Sequence, residues 1–216
     1  MKVLIVGATG SIGRHGVRYA LAAGHDVTAL ARDPARVVQQ DDRLRVATGD
    51  VYDRESLLRA TAGQDAVVSF LGTTKLRETT LRRDGNRNLV DAMRTQGVKR
   101  LVVMSALGVG DSKAEARRFS LFFMWVILPL LLRGHFRDME LMEEIVRASG
   151  LEWVIVRPAS LIDEVVGEPA LAVLDGTRRG KSVSKAALAA FMVAQLTDDT
   201  YVGKTPSLYG RPSPGR

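Results

Sequence analysis

Four consecutive apolar residues, Val3-Leu4-Ile5-Val6, run without a break into glycines at positions 7, 10 and 13. A short continuous apolar run of this kind reads as a strand buried on both faces. From Arg14 to Ala23 the chain continues as a helix. Strand, glycine-rich turn and helix, in that order, make the context that a phosphate-binding motif requires. Gly7 permits the tight turn out of the strand, Gly10 lets the backbone approach a pyrophosphate, and Gly13 lets the helix pack close to the sheet. Thr9 and Ser11 add hydroxyl donors beside Ile12, and the helix N-terminus offers N–H groups and a partial positive charge to the phosphates. An ordinary glycine-rich strand–helix turn is the competing reading. The position at the head of a strand–helix series favours dinucleotide binding.

That series continues along the chain. Val27 to Leu30, Leu44 to Ala47, Ala66 to Leu71, Leu101 to Met104 and Trp153 to Val156 are further apolar strands, the last stopped by Pro158. Helices are expected over Ser11–Ala23, around Ser56-Leu57-Leu58 with Asp53 as its cap, and over Asn86–Arg94. Two more are expected over Met139–Arg147, ended by Gly150, and over Lys185–Leu196 with Ser184 as N-cap. Alternation of this kind implies an α/β fold, a doubly wound parallel sheet covered by helices on both faces. Ligands then bind at the carboxyl ends of the strands, beside the first. Gly7 to Gly13, Arg32, Asp50, Gly72-Thr73, Ser105 and Arg157-Pro158-Ala159 all fall at such ends. A single domain over residues 1–216 is expected, with 206–216, rich in proline and glycine, as a loose tail.

Composition narrows the function. The chain has no cysteine, which excludes disulfides, thiol nucleophiles and cysteine metal sites, and no metal is expected. No signal peptide is visible at the N-terminus, so a cytoplasmic location is the expectation. The formal net charge is +7, carried in part by the pairs Arg82-Arg83, Lys99-Arg100, Arg117-Arg118 and Arg178-Arg179. Such pairs read as solvated surface or as attraction to an anion. With no helix-turn-helix signature, zinc-finger spacing or interleaved aromatics, nucleic acid is not the expected partner.

The glycine spacing is Gly-x-x-Gly-x-x-Gly, and the chain resembles the atypical short-chain dehydrogenase/reductases, in their NmrA-like, NAD(P)H-binding branch. The resemblance rests on VGATGSIG, VTALARDPARV, the pair Gly49-Asp50, GQDAVVSFLGT, DGNRNLVDAM, GVKRLVVMSALG, SGLEWVIVRPASL and SKAALAAFMVAQLTDDTYVG, nearly the whole chain. It implies a Rossmann-type fold. By this resemblance Arg32 and Arg36 bind an NADP phosphate, for which a guanidinium fork is suited. Asp50 and Val51 flank the adenine, with turn capping as the alternative for Asp50. Leu71-Gly72-Thr73 line the channel toward the nicotinamide ribose, Ser105 faces the nicotinamide, and Pro158 completes the cofactor-binding set. NADP is the expected cofactor, and Asp33 leaves NAD open, since an acid near the end of strand two can accept from the ribose 2′-hydroxyl.

Ketone-reducing relatives use Tyr-x-x-x-Lys to supply a proton. Tyr19, Tyr52, Tyr201 and Tyr209 are followed four residues on by Ala23, Ser56, Thr205 and Ser213, so no such pair exists. Aligned on Ser149-Gly150-Leu151, His135 takes the tyrosine position and Met139 the lysine position. Ser105 and His135 are the catalytic candidates. Ser105 either polarises a carbonyl or satisfies a strand end; His135 either donates a proton or sits on the surface. Flavins and quinones accept hydride without a strong acid, so an NADPH-dependent reductase of a planar acceptor is the leading expectation. A non-catalytic dinucleotide sensor of the NmrA-like type is the alternative. Epimerase or dehydratase chemistry needs the missing pair.

One feature stands apart. Phe119 to Leu132 is apolar except for Ser120 and Pro129, and its 14 residues are too few to span a bilayer. It reads as a lid or pocket wall, with core packing and shallow membrane contact as alternatives. A monomer or a homodimer is expected.

Overall fold

The computed structural model describes residues 1–73, 80–112, 133–163, 170–174 and 182–210. Its centre is an eight-stranded sheet in the order β3-β2-β1-β4-β5-β6-β10-β8. The first six strands are Lys2–Val6 (β1), Asp26–Ala31 (β2), Leu44–Thr48 (β3), Ala66–Ser69 (β4), Arg100–Met104 (β5) and Glu152–Pro158 (β6), all parallel. Ser207–Tyr209 (β10) continues the sheet parallel to β6, and Leu171–Val173 (β8) closes that edge antiparallel to β10. A separate parallel pair joins Leu161–Ile162 (β7) to Val183–Ser184 (β9).

The apolar runs arise because both faces of the sheet are covered. Val3 and Ile5 of β1 join one core cluster, whereas Leu4 and Val6 join the other. Helices Gly13–Ala22 (α1) and Lys185–Ala194 (α5) pack together on the first side. Helices Arg54–Thr61 (α2), Leu81–Gln96 (α3) and Arg133–Arg147 (α4) cover the second. Asp53 caps α2 through Glu55 N at 3.0 Å, and Ser184 caps α5 through Ala187 N at 3.0 Å, as their local sequence predicts.

The loose tail expected from residue 206 is corrected at its start. Leu208 is fully buried and Tyr209 is 1% exposed, because β10 covers the outer edge of β6 and Leu208 joins the core under α5. Pro206 takes part through its carbonyl, which accepts from Arg157 N at 2.9 Å and needs no N–H of its own. Residues 211–216 lie outside the described residues, as do the apolar stretch 119–132 and the pairs Arg117-Arg118 and Arg178-Arg179. Two other basic pairs are not plain solvated surface: the side chains of Arg82 and Arg100 are 12% and 11% exposed. Among the described residues no helix is long and apolar enough to cross a membrane.

Candidate functional site

The strand order reverses at β1, whose neighbours are β2 and β4, so the crevice of this sheet opens above the end of β1. The glycine turn occupies that point. Gly7 has φ +78°, and a side chain there would stand 2.8 Å from the Phe70 carbonyl oxygen, where the ends of β1 and β4 approach. At Gly13 a methyl group would overlap the Gly7 carbonyl, because α1 starts directly against the turn. Gly10 is different. It is exposed, and a Cβ there would meet only the Gly7 carbonyl oxygen, at 3.2 Å. A side chain at position 10 would therefore fill space above the turn, the space a pyrophosphate needs.

Helix α1 begins without a capping side chain at Ile12 and without an acid in its first turn. Its N-terminal N–H groups and positive dipole end face the turn with no negative side chain to answer them. Thr9 is half-buried and Ser11 exposed on the same loop. These residues fit a dinucleotide.

Toward the β2 side, Arg32 and Arg36 are both exposed, and among the described residues neither has an acid partner. Between them Asp33 is engaged, accepting from Ala35 N at 3.1 Å as the N-cap of a short 3₁₀ turn, Pro34–Arg36. Asp50 follows β3 and accepts from Tyr52 N at 3.0 Å, which is turn capping. Val51 is buried at 6% exposure, and its carbonyl accepts from Asn88 Nδ2 at 2.9 Å.

Toward β4 and β5, Leu71 is buried, while Gly72 is exposed and Thr73 half-buried. Ser105 follows β5 with only 5% exposure, and its Oγ donates to Glu143 Oε1 at 2.7 Å. Glu143, on α4, is 1% exposed and accepts three further bonds. These come from Arg157 Nε at 3.0 Å, Arg157 Nη2 at 2.6 Å and Arg147 Nη2 at 3.1 Å. A buried carboxylate requires such pairing, since isolated charge in a low-dielectric interior is strongly disfavoured. The consequence for Ser105 is direct. A hydroxyl has one proton, and here it points at Glu143, so the free side of Oγ can only accept. Polarising a carbonyl would require that proton to leave Glu143. Pro158 ends β6, buried, with its carbonyl accepting from Leu107 N at 3.0 Å.

His135 lies in the first turn of α4, half-buried, with Nδ1 3.5 Å from Arg82 Nη1. Met139, one turn on, is 6% exposed and belongs to the packed interior. His135, Met139 and Glu143 are spaced i, i+4, i+8 and share one face of α4. Sequence reasoning missed Glu143, Arg157 as its partner, and Arg82. The signal for the first two was present. Glu143 interrupts the apolar stripe Met139, Met142 and Val146, and Arg157 interrupts an otherwise apolar buried strand.

A family model described as NAD(P)H-binding matches residues 7–199 of this sequence. The chain belongs to that family. The NAD(P)H-binding fold is shared with an anaerobillin reductase, ChuY of Escherichia coli O157:H7, at a TM-score of 0.80, 22% identity and full coverage of both chains. The isoflavone reductase homolog IRL of Zea mays is 38% identical over 109 residues, 46% of this chain and 33% of that protein. The (4-alkanoyl-5-oxo-2,5-dihydrofuran-3-yl)methyl phosphate reductase of Streptomyces griseus is 29% identical over 215 residues, 96% of this chain and 67% of that protein. The chain thus spans between one third and two thirds of the length of these two curated relatives.

Proposed function

We propose that the chain is an NADPH-dependent reductase that delivers hydride to a flavin, quinone or similar planar acceptor, working in the cytoplasm as a monomer or homodimer. The bound nicotinamide supplies the hydride. The chain's own residues cradle the phosphates at Gly7, Gly10 and Gly13, read the ribose end with Arg32 and Arg36, and hold the nicotinamide end near Gly72 and Ser105. The observation that carries the reading is at the lysine position of the usual proton-donating pair. Met139 is packed inside and can neither donate nor hold charge. An acceptor that draws its proton from water does not need that pair. Several relatives are named as reductases, which supports hydride transfer as the reaction class.

The test is a titration of the protein with NADPH and NADH, then loss of reduced-nicotinamide absorbance with FMN, a quinone and biliverdin. Turnover with any of them supports the reductase. Tight NADPH binding without turnover overturns it in favour of a dinucleotide sensor acting on a partner protein.

The cofactor preference has its own test. Asp33 is committed to its turn, which leaves two guanidinium groups to face a 2′-phosphate. Charge-assisted bonds contribute about 1.5–3 kcal/mol each. Replacing Arg32 and Arg36 together by Gln is expected to weaken NADPH binding by about 100-fold or more. NADH binding stays nearly unchanged. Equal losses for both cofactors, measured by quenching or calorimetry, would remove the role given to these arginines.

A further inference from the structure

Arg82 belongs to a basic pair that reads from sequence as solvated surface or as attraction to an anion, and its setting is not solvated surface. Its side chain is 12% exposed and reaches from the start of α3 toward the end of β4. Nη2 lies 3.5 Å from the position a Gly72 Cβ would take, and Met104 Cε lies 3.6 Å from the same point. Nη1 is 3.5 Å from His135 Nδ1. The guanidinium therefore stands where β4, β5 and the first turn of α4 converge.

Among the described residues its acid partner is Asp138, and the ion pair is a loose one. Asp138, 3% exposed on α4, uses Oδ2 to accept from Arg82 N at 3.1 Å and Oδ1 to accept from Arg83 N at 2.9 Å. It thereby caps α3 from a neighbouring helix. Its distance to Arg82 Nη1 is 3.8 Å, beyond hydrogen-bond range. Burial pulls the Arg82 guanidinium below its ordinary pKa, with the Asp138 charge opposing. A desolvated guanidinium facing an exposed glycine is set up to receive an anion with two oxygens.

Position gives that anion its identity. On the reading that seats the phosphates at the β1 turn and the adenosine ribose at Arg32, just after β2, the other half of an extended dinucleotide falls on the opposite side of β1, over β4 and β5. Arg82 is on that side. Resting on the reductase reading above, we infer that Arg82 forms a subsite for a carboxylate carried by the acceptor, so the physiological acceptor is a planar aromatic acid, not a neutral ring. Gly72 keeps the approach to Nη2 open, since a side chain there would stand between the guanidinium and the acceptor.

The test uses a matched pair of ligands, naphthoate and naphthamide, which share shape and differ in charge. Calorimetry of the protein saturated with NADP⁺ involves no turnover. Naphthoate is expected to bind about tenfold or more tightly than naphthamide, the size of one charge-assisted bidentate contact. Arg82→Gln abolishes the preference and leaves naphthamide affinity unchanged. Arg82→Lys keeps part of it, because the charge remains and the fork does not. No preference in the unmodified protein overturns the subsite, as does a preference that survives Arg82→Gln. Equal weakening of both ligands overturns it too, since that marks a structural role. NADPH oxidation with FMN, a quinone and biliverdin is followed separately. Absence of turnover with all three, alongside an Arg82-dependent preference for naphthoate, would remove the reductase reading and leave the anion subsite standing.

Discussion

Gly10→Ala is expected to fold normally and to lose NADPH. The added methyl meets only the Gly7 carbonyl oxygen, at 3.2 Å, a contact that a few tenths of an ångström of movement relieves. It projects instead into the space above the turn. A pyrophosphate pushed outward there loses at least two charge-assisted bonds from backbone N–H groups, each contributing about 1.5–3 kcal/mol. Affinity should fall by about 100-fold or more, while the melting temperature without cofactor stays within about 2 °C of the parent. Gly13→Ala is the contrast. Its methyl would overlap backbone, with Gly7 C at 2.8 Å and Ala8 Cα at 3.0 Å, so α1 must move away from the turn. Overpacking of this kind costs about 1–3 kcal/mol, which in a chain of this size lowers Tm by about 2–12 °C. Binding is lost with it. Melting curves and NADPH titrations on both variants separate the two roles. Unimpaired NADPH binding by Gly10→Ala would mean that the phosphates lie elsewhere.

The second large effect is expected at Glu143. Glu143→Ala leaves Arg157, only 2% exposed, without the carboxylate that takes both its Nε and Nη2. Removing one partner of a buried pair costs about 3–5 kcal/mol. For a chain of 216 residues that corresponds to a fall in Tm of about 6–20 °C. Adding Arg157→Met to the same protein should recover part of the loss, because the desolvated charge goes with its partner. A double variant less stable than Glu143→Ala would show that Arg157 is held chiefly by other contacts. A fall under about 1 kcal/mol in the single variant would show that the pair contributes little net stability.

These two sites were not equally legible. The turn at residues 7–13 could be read because its requirements are local: an apolar strand, glycines within hydrogen-bond reach of one another, and a helix start. The caps Asp53 and Ser184 were readable for the same reason, each bonding an N–H two or three residues away. The Glu143–Arg157 pair joins a helix to the following strand across 14 residues, and Glu143 joins Ser105 across 38. No periodicity within either element states that pairing, although a charge on each apolar surface hinted at it. For Arg82, solvated surface and attraction to an anion stayed open, because a basic pair carries no information about what covers it.

Local chemistry in the sequence thus determined the six parallel strands β1 to β6, the glycine turn after the first, and two of the helix starts, because those depend on residues close together in the chain. It also placed the candidate residues at the carboxyl ends of the strands, since a parallel sheet brings those ends to one side. The tertiary structure alone decided which charges are buried together. It turned the Ser105 proton toward Glu143, capped α3 with Asp138 from another helix, and drew residues 207–209 into the sheet against β6. Those outcomes follow from desolvation. A charged group or an open strand edge finds its partner only when packing has removed water from both, and that partner can lie anywhere along the chain.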